Sequence, residues 1–229
     1  SVQIAADIIS SAYSEAEGAE NGIGIVKLMG RDSGFITAKA SLANSVVDFC
    51  LIPETPFQIV RPDSICEAIH KRLEQKNRAV IVVAEEAGQD LFKNAKKNID
   101  ASGNILKGDF EKLPKYSLSE YFSHKKIPIS IKYHDPSCRI RSVAANTSDA
   151  VFCYLLAEYA VYAGMSSKTN LVIGYWNNFF THTPIHLATK QRRIVELDSA
   201  LWRGVVSTTQ QNTVQRESSK DSSNTNYLN

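Results

Sequence analysis

The sequence predicts an α/β domain built on a doubly wound, mostly parallel sheet with helices on both faces. Three observations predict it. Apolar runs such as "IGIVKLM" (23–29) and "AVIVVA" (79–84) are continuous rather than alternating, as strands buried on both faces must be. These runs alternate with segments of helical periodicity, in the order helix, strand, helix, strand, helix, strand. At 229 residues, the chain is also long enough to bury a core of its own.

Each element follows from its local pattern. Residues 2–17, "VQIAADIISSAYSEAE", put Ile4, Ile8, Ile9 and Tyr13 near helical spacing, which predicts an amphipathic helix. After "GAENG" comes the first strand, 23–29. "SGFITAKASLANS" (33–45) has the small-residue composition of a helix lying close on a sheet, with Ser33 as the expected N-cap. "VVDFCLIP" (46–53) is a second strand closed by Pro53. "RPDSICEAIHKRLEQK" (61–76) is a helix with Pro62 near its start. "NRAVIVVAEEAG" (77–88) is the third strand. Residues 90–116 are polar and turn-rich, and are expected to form an exposed excursion.

Beyond it, "SLSEYFSHKK" (117–126) reads as a short helix and "IPISIKYHD" (127–135) as a further strand, followed by a turn. "SDAVFCYLLAEYAVYAGM" (148–165) is a strongly apolar helix with Asp149 near its start. "TNLVIGYWNN" and "FFTHTPIHL" (169–187) form a hairpin. Residues 1–208 are thus expected to be the folded part. Residues 209–229, rich in Ser, Thr, Asn and Gln, read as a disordered polar tail.

Composition narrows the function. With 26 basic and 24 acidic residues, net charge is +2 and no basic block stands out, so nucleic acid and anionic membrane surfaces gain no support as partners. No run approaches the ~20 apolar residues of a membrane span. Cys50, Cys66, Cys138 and Cys153 form no CxxC pair, which argues against a zinc module and a disulfide framework. Cys50 and Cys153 lie in apolar runs and are expected to be buried, reduced thiols. A cytoplasmic location fits, or an organelle matrix; the end "NYLN" is no peroxisomal address. His182 and His186 have a metal-like spacing, but Pro184 between them breaks the helix that would aim both at one ion, so no metal site is expected. The aromatics Tyr175, Trp176, Phe179 and Phe180 are read as packing or subunit contacts.

Chemistry is expected where parallel strands end, because open α/β sheets bind ligands beyond the carboxyl ends of their strands. The first strand ends at Met29-Gly30-Arg31 and the third at Ala84-Glu85-Glu86. The strand "ISIKYHD" is expected to end near Lys132, followed by the turn "PSCRIRS" with Arg139 and Arg141. Glycine lets a backbone approach a ligand closely, arginine forks suit phosphate oxygens, and carboxylates accept from sugar hydroxyls. The set describes a pocket for a molecule with a phosphate at one end and hydroxyls at the other.

The same residues carry a resemblance. "GIGIVKLMGRDSGFITAKASLANSVVDFCLIPETPF", "VIVVAEEAGQD" and "IKYHDPSCRIRSVAANTSDAVFC" resemble three ordered blocks of the 6-phosphofructokinases, most of all the plant, protist and spirochaete branch. The resemblance covers residues 1 to about 205. It implies a phosphofructokinase-like substrate domain in which Met29, Gly30 and Arg31 line a fructose 6-phosphate pocket. Arg31 would also stabilise charge on the transferred phosphoryl group. Glu85 would accept from sugar hydroxyls, while Lys132 and Arg141 would hold the 6-phosphate. Cys138 stands where relatives usually carry tyrosine or histidine, and a thiol donates poorly. Glu86 replaces the glycine expected after Glu85, and a second carboxylate near an anion repels it unless it turns away.

By the same resemblance, the cofactors are Mg²⁺ with ATP or pyrophosphate, held by a donor loop and a "TIDND"-type stretch with a catalytic aspartate. Neither stretch occurs here, and Gly22-x-Gly24 enters a strand rather than leaving one, so it is not a phosphate loop. The chain is therefore expected to supply the acceptor half of the enzyme, to be inactive alone, and to assemble as a homo-oligomer as relatives do. The other reading is a non-catalytic sugar-phosphate-binding subunit or degenerate paralogue. A third, generic reading is an α/β domain for another phosphorylated ligand.

Overall fold

The computed structural model describes residues 1–30, 33–58, 64–88, 98–99, 105–106 and 112–211. The chain divides into two compact units: Ser1–Arg141 with the segment from Ile194 onward, and Ser142–Arg193.

In the first unit, helix α1 (Val2–Glu17) lies where its pattern predicts and buries Ala5, Ile8, Ile9, Ala12 and Ala16. It packs on strand β1 (Gly22–Leu28). The two glycines of β1 make that approach possible. A Cβ on Gly24 would stand 2.9 Å from the Ala12 carbonyl oxygen, and one on Gly22 would fall inside the Ala16 carbonyl. Gly22-x-Gly24 is thus consumed by helix-on-sheet packing.

Helix α2 spans Phe35–Leu42 with Gly34 at the N-cap and no side-chain cap, so Ser33 does not play the expected part. The Glu54 carboxylate accepts the Gly34 N–H instead. Strand β2 is only Phe49–Leu51. Helix α3 (Ile65–Lys76) is capped by Ser64, whose Oγ accepts from Glu67 N–H at 3.4 Å. Pro62 lies outside the described residues. Strand β3 (Arg78–Ala84) follows. Of the expected excursion at 90–116, a two-residue antiparallel pairing of β4 (Asn98–Ile99) with β5 (Ile105–Leu106) is described. Its last residues belong to helix α4 (Lys112–His124), which starts earlier than the apolar pattern suggests and buries Leu118 and Phe122. Strand β6 is Ser130–His134, and a short helix α5 (Ser137–Arg141) replaces the expected turn.

The main sheet has the order β2-β3-β1-β6, all parallel, with Val26 level with Val82 on one side and His134 on the other. Both faces are covered. Ile23, Ile25, Ile81 and Val83 pack with Ile69, Leu73, Leu118 and Phe122 from α3 and α4. Val26, Leu28, Val80 and Val82 pack with α1. This double burial is why the strands read as unbroken apolar runs.

Helix α8 (Ala200–Thr209) is capped by Ser199 and sets Trp202 and Val205 against Ala38, Cys50 and Ile52. Thr209 and Gln211, which the composition assigns to the polar tail, are buried. The Gln211 side-chain amide accepts from Cys50 N–H at 2.7 Å and donates to the Cys50 carbonyl at 3.0 Å, so it pairs with β2 as a strand residue would. The remainder of that tail, 212–229, lies outside the described residues. Asp48, buried beside β2, accepts from Arg72, Lys76 and Val80 N–H, each at 3.0 Å.

The second unit consists of helix α6 (Thr147–Met165), the hairpin β7 (Leu171–Trp176) with β8 (Phe179–Pro184), and a one-turn helix α7 (Ile185–Ala188). Asn146 caps α6 by accepting from Asp149 N–H at 2.8 Å. The hairpin turns through Asn177 and Asn178, both with positive φ (46° and 67°), the two-residue turn that matches strand twist. On one side of α6, Phe152 and Tyr159 stack on Phe180. On the other, Val151, Tyr154, Val161, Tyr162 and Met165 are exposed. Cys153 is exposed as well, against the burial expected from its apolar run; Cys50 is buried. His182 stands in β8 and His186 in α7, on separate elements. No helix among the described residues is long and apolar enough to cross a membrane.

Candidate functional site

The site predicted from the sequence lies at the carboxyl edge of the main sheet. β1 and β3 run level to their last residues, Leu28 beside Ala84. One further bond, from Glu85 N–H to the Leu28 carbonyl at 2.8 Å, carries the pairing to the mouth. There Met29 is half-buried against the α1 face of the core. Gly30 follows so close to β3 that a Cβ on it would stand 3.9 Å from the Ala84 side chain and 2.7 Å from the Ser33 carbonyl oxygen. Met29, Gly30 and Glu85 are therefore neighbours. Arg31 lies outside the described residues.

At this mouth, Glu85 is exposed and Glu86 is buried. Of the two carboxylates, Glu85 is therefore the one that solvent reaches.

The third block arrives from β6, which neighbours β1. Past its end, Asp135 accepts from the Ser137 N–H at 3.1 Å and from the Ser137 hydroxyl, which sets the start of α5. Lys27 of β1 pairs with Asp135 at 2.7 Å and anchors that cap to the adjacent strand. Burial works against the charge on Asp135, but the hydrogen bonds from Lys27 and Ser137 outweigh it and hold its carboxyl below the usual range. Ile140 is buried in the α1 cluster, while Cys138, Arg139 and Arg141 are exposed. The Arg141 Nε donates to the Ser137 carbonyl at 3.3 Å, within α5.

Lys132 stands elsewhere. It is level with Gly24, not with the strand ends, and it is exposed. Leu28 is four residues further along, about 13 Å at the rise of a strand. The structure thus gathers Met29, Gly30 and Glu85 at one mouth, sets Cys138 and Arg141 just past the neighbouring strand, and leaves Lys132 mid-strand. The sequence reading missed Lys27 and Asp135; the signal was "HDPS", where an Asp two residues before a Ser offers a turn cap. It also missed Glu54.

A parallel sheet clothed on both faces defines a doubly wound α/β domain, a class whose ligands bind beyond the carboxyl ends of the strands. Within that class the assignment is specific: the sequence model described as Phosphofructokinase matches residues 1–163, and the chain belongs to the phosphofructokinase family. It is 43% identical over 216 residues to an ATP-dependent 6-phosphofructokinase of Borreliella burgdorferi, covering 92% of this chain and 48% of that protein. It is 41% identical over 212 residues to a chloroplastic ATP-dependent 6-phosphofructokinase of Arabidopsis thaliana, covering 92% of this chain and 39% of the relative. The chain spans about half the length of the curated relatives it matches. Among solved structures, the pyrophosphate-dependent phosphofructokinase of Marinobacter aquaeolei superposes with a TM-score of 0.61 at 15% identity, over 93% of this chain and 53% of the other. That likeness shows the fold.

Proposed function

We propose that this chain is the sugar-phosphate half of a 6-phosphofructokinase, holding fructose 6-phosphate while its 1-hydroxyl receives a phosphoryl group. The observation that carries the reading is the convergence of Met29, Gly30 and Glu85 at one sheet mouth. These residues come from blocks 55 positions apart in the sequence, in a chain 43% identical to an enzyme of that name. Glu85 is the acceptor for sugar hydroxyls; Arg31 and Arg141 are the phosphate forks, with Arg31 also opposing charge on the group in transfer. Cys138 borders the sugar without a strong donor. Glu86 is buried while Glu85 is open to solvent, which favours Glu85 as the carboxylate that meets the sugar.

Lys132, exposed mid-strand, suits the phosphate of a neighbouring copy better than that of its own mouth, in keeping with a homo-oligomer. The names of the relatives favour ATP as donor. Among the described residues, no three His, Cys, Asp or Glu side chains gather; Mg²⁺ would come with the donor, whose phosphates and one or two carboxylates hold such an ion. The donor site and the base that takes the hydroxyl proton are assigned to further polypeptide. The open apolar side of α6 supports the presence of such polypeptide, since a helix apolar all round is normally buried. A reducing, cytoplasmic setting accords with the four free thiols.

Isothermal titration with fructose 6-phosphate tests the reading. Arg31→Ala and Arg141→Ala should each weaken binding by about 1.5–3 kcal/mol, the usual loss for a hydrogen bond to a charged group. Unchanged affinity in both variants rejects the site.

A further inference from the structure

Glu54 sits just past β2, and its one carboxylate serves two distant backbones. Its Oε1 and Oε2 both accept from Gly34 N–H, at 3.0 and 3.1 Å. Oε1 also accepts from Val195 N–H at 2.9 Å. Val195 is itself buried with Ala38, Cys50, Ile52, Trp202 and Val205. Gly34 is the N-cap of α2, where aligned peptide dipoles favour a negative charge. Glu54 supplies that charge from within the protein.

Gly34 is coupled to the mouth through its neighbour. A side chain on Gly30 would come within 2.7 Å of the Ser33 carbonyl oxygen, so Ser33 lies directly beside Gly30. Holding Gly34 therefore holds Ser33 where it meets the backbone that carries Met29 and Gly30.

We infer that Glu54 is a positioning residue: its carboxylate ties Gly34, and with it the Ser33 carbonyl beside Gly30, to the segment at Val195 and so sets the Met29–Gly30 backbone for sugar-phosphate binding. The inference rests on the sugar-phosphate reading of this mouth. Without the carboxylate, Gly34 and Val195 lose the acceptor each now has, and Ser33 loses its tie beside Gly30.

The test compares Glu54→Ala, Glu54→Gln and Val205→Ala in the 229-residue chain. Amide hydrogen exchange and fructose 6-phosphate titration are read side by side. Glu54→Ala should speed exchange at Gly34, Val195, Met29 and Gly30 and weaken binding about tenfold, the cost of one charged hydrogen bond. Glu54→Gln keeps a neutral acceptor oxygen and should fall between. Val205→Ala, in the same apolar cluster, should lower the melting temperature without moving affinity. Wild-type affinity in Glu54→Ala, or unchanged exchange at Met29 and Gly30, overturns the inference. If wild-type protein takes no fructose 6-phosphate, the sugar-phosphate reading fails by itself. Exchange at Met29 and Gly30 then decides alone: faster in Glu54→Ala upholds the positioning role, unchanged overturns it.

Discussion

The two units treat similar apolar sequences in opposite ways. In the first, β1 and β3 are apolar throughout and almost wholly buried, because helices cover both faces of their sheet. In the second, α6 is apolar all round yet buries only Ala163. Tyr154 and Met165 keep 71% and 82% of their surface exposed, so their own unit does not cover them. The cysteines repeat the contrast. Cys50 and Cys153 both sit in apolar runs, but burial pushes the Cys50 thiol up to about 12 while Cys153 is exposed. The lesson is that an apolar run reports the surroundings a segment was selected for, whereas burial in one chain reports only what that chain can provide.

The largest expected effect lies in the first unit. Phe122 is fully buried, with T-shaped contacts to Tyr121 at 5.2 Å and His70 at 5.6 Å. Phe122→Ala should cost about 3–5 kcal/mol in denaturant unfolding, since transfer and cavity terms add. A loss well under 1 kcal/mol would mean that this core is no better packed than α6, and would break the comparison.

A smaller effect sharpens it at the sheet edge, where α5 is set by charge. The folded carboxyl of Asp135 is held below its ordinary value. Its contribution is therefore fully present above the unfolded pKa of about 3.9 and is lost as pH falls through the lower folded value. Asp135→Asn should be less stable than wild type at neutral pH, with the gap in melting temperature closing below about pH 4. A gap that stays constant from neutral to acid would assign the Lys27–Asp135 pair no part in stability.

Legibility in the sequence followed the range of the interactions. α1 and β1 have strong local patterns, which placed them within about two residues, the usual disagreement over element ends. β3 stops at Ala84, four residues before the end read from its pattern, and the hairpin stops at Pro184 rather than 187. The start of α2 could not be read, because its acceptor comes from Glu54, 20 residues away. Gln211 looked like tail, because its partner, Cys50, is 161 residues distant. The same rule divides the site. Gly30 and Glu85 were legible as residues ending apolar runs. The place of Lys132 was not, because the register of β6 against β1 sets it. The exposed side of α6 was illegible for another reason: its pattern is that of a buried helix.

That side of α6 also gives the smallest expected effect and the clearest way to break the contrast. Val151, Tyr154, Val161, Tyr162 and Met165 recur at helical spacing, opposite the face that stacks on the hairpin. Tyr154→Gln with Val161→Gln keeps good helix formers and removes no buried contact, so unfolding free energy should change by less than about 0.5 kcal/mol. Binding of a fluorescent apolar dye should fall at the same time, because exposed apolar area is what such a dye reports. A loss above about 1 kcal/mol that grows with protein concentration would show this face packed in solution. The two units would then differ in where their cover comes from, not in whether they have one.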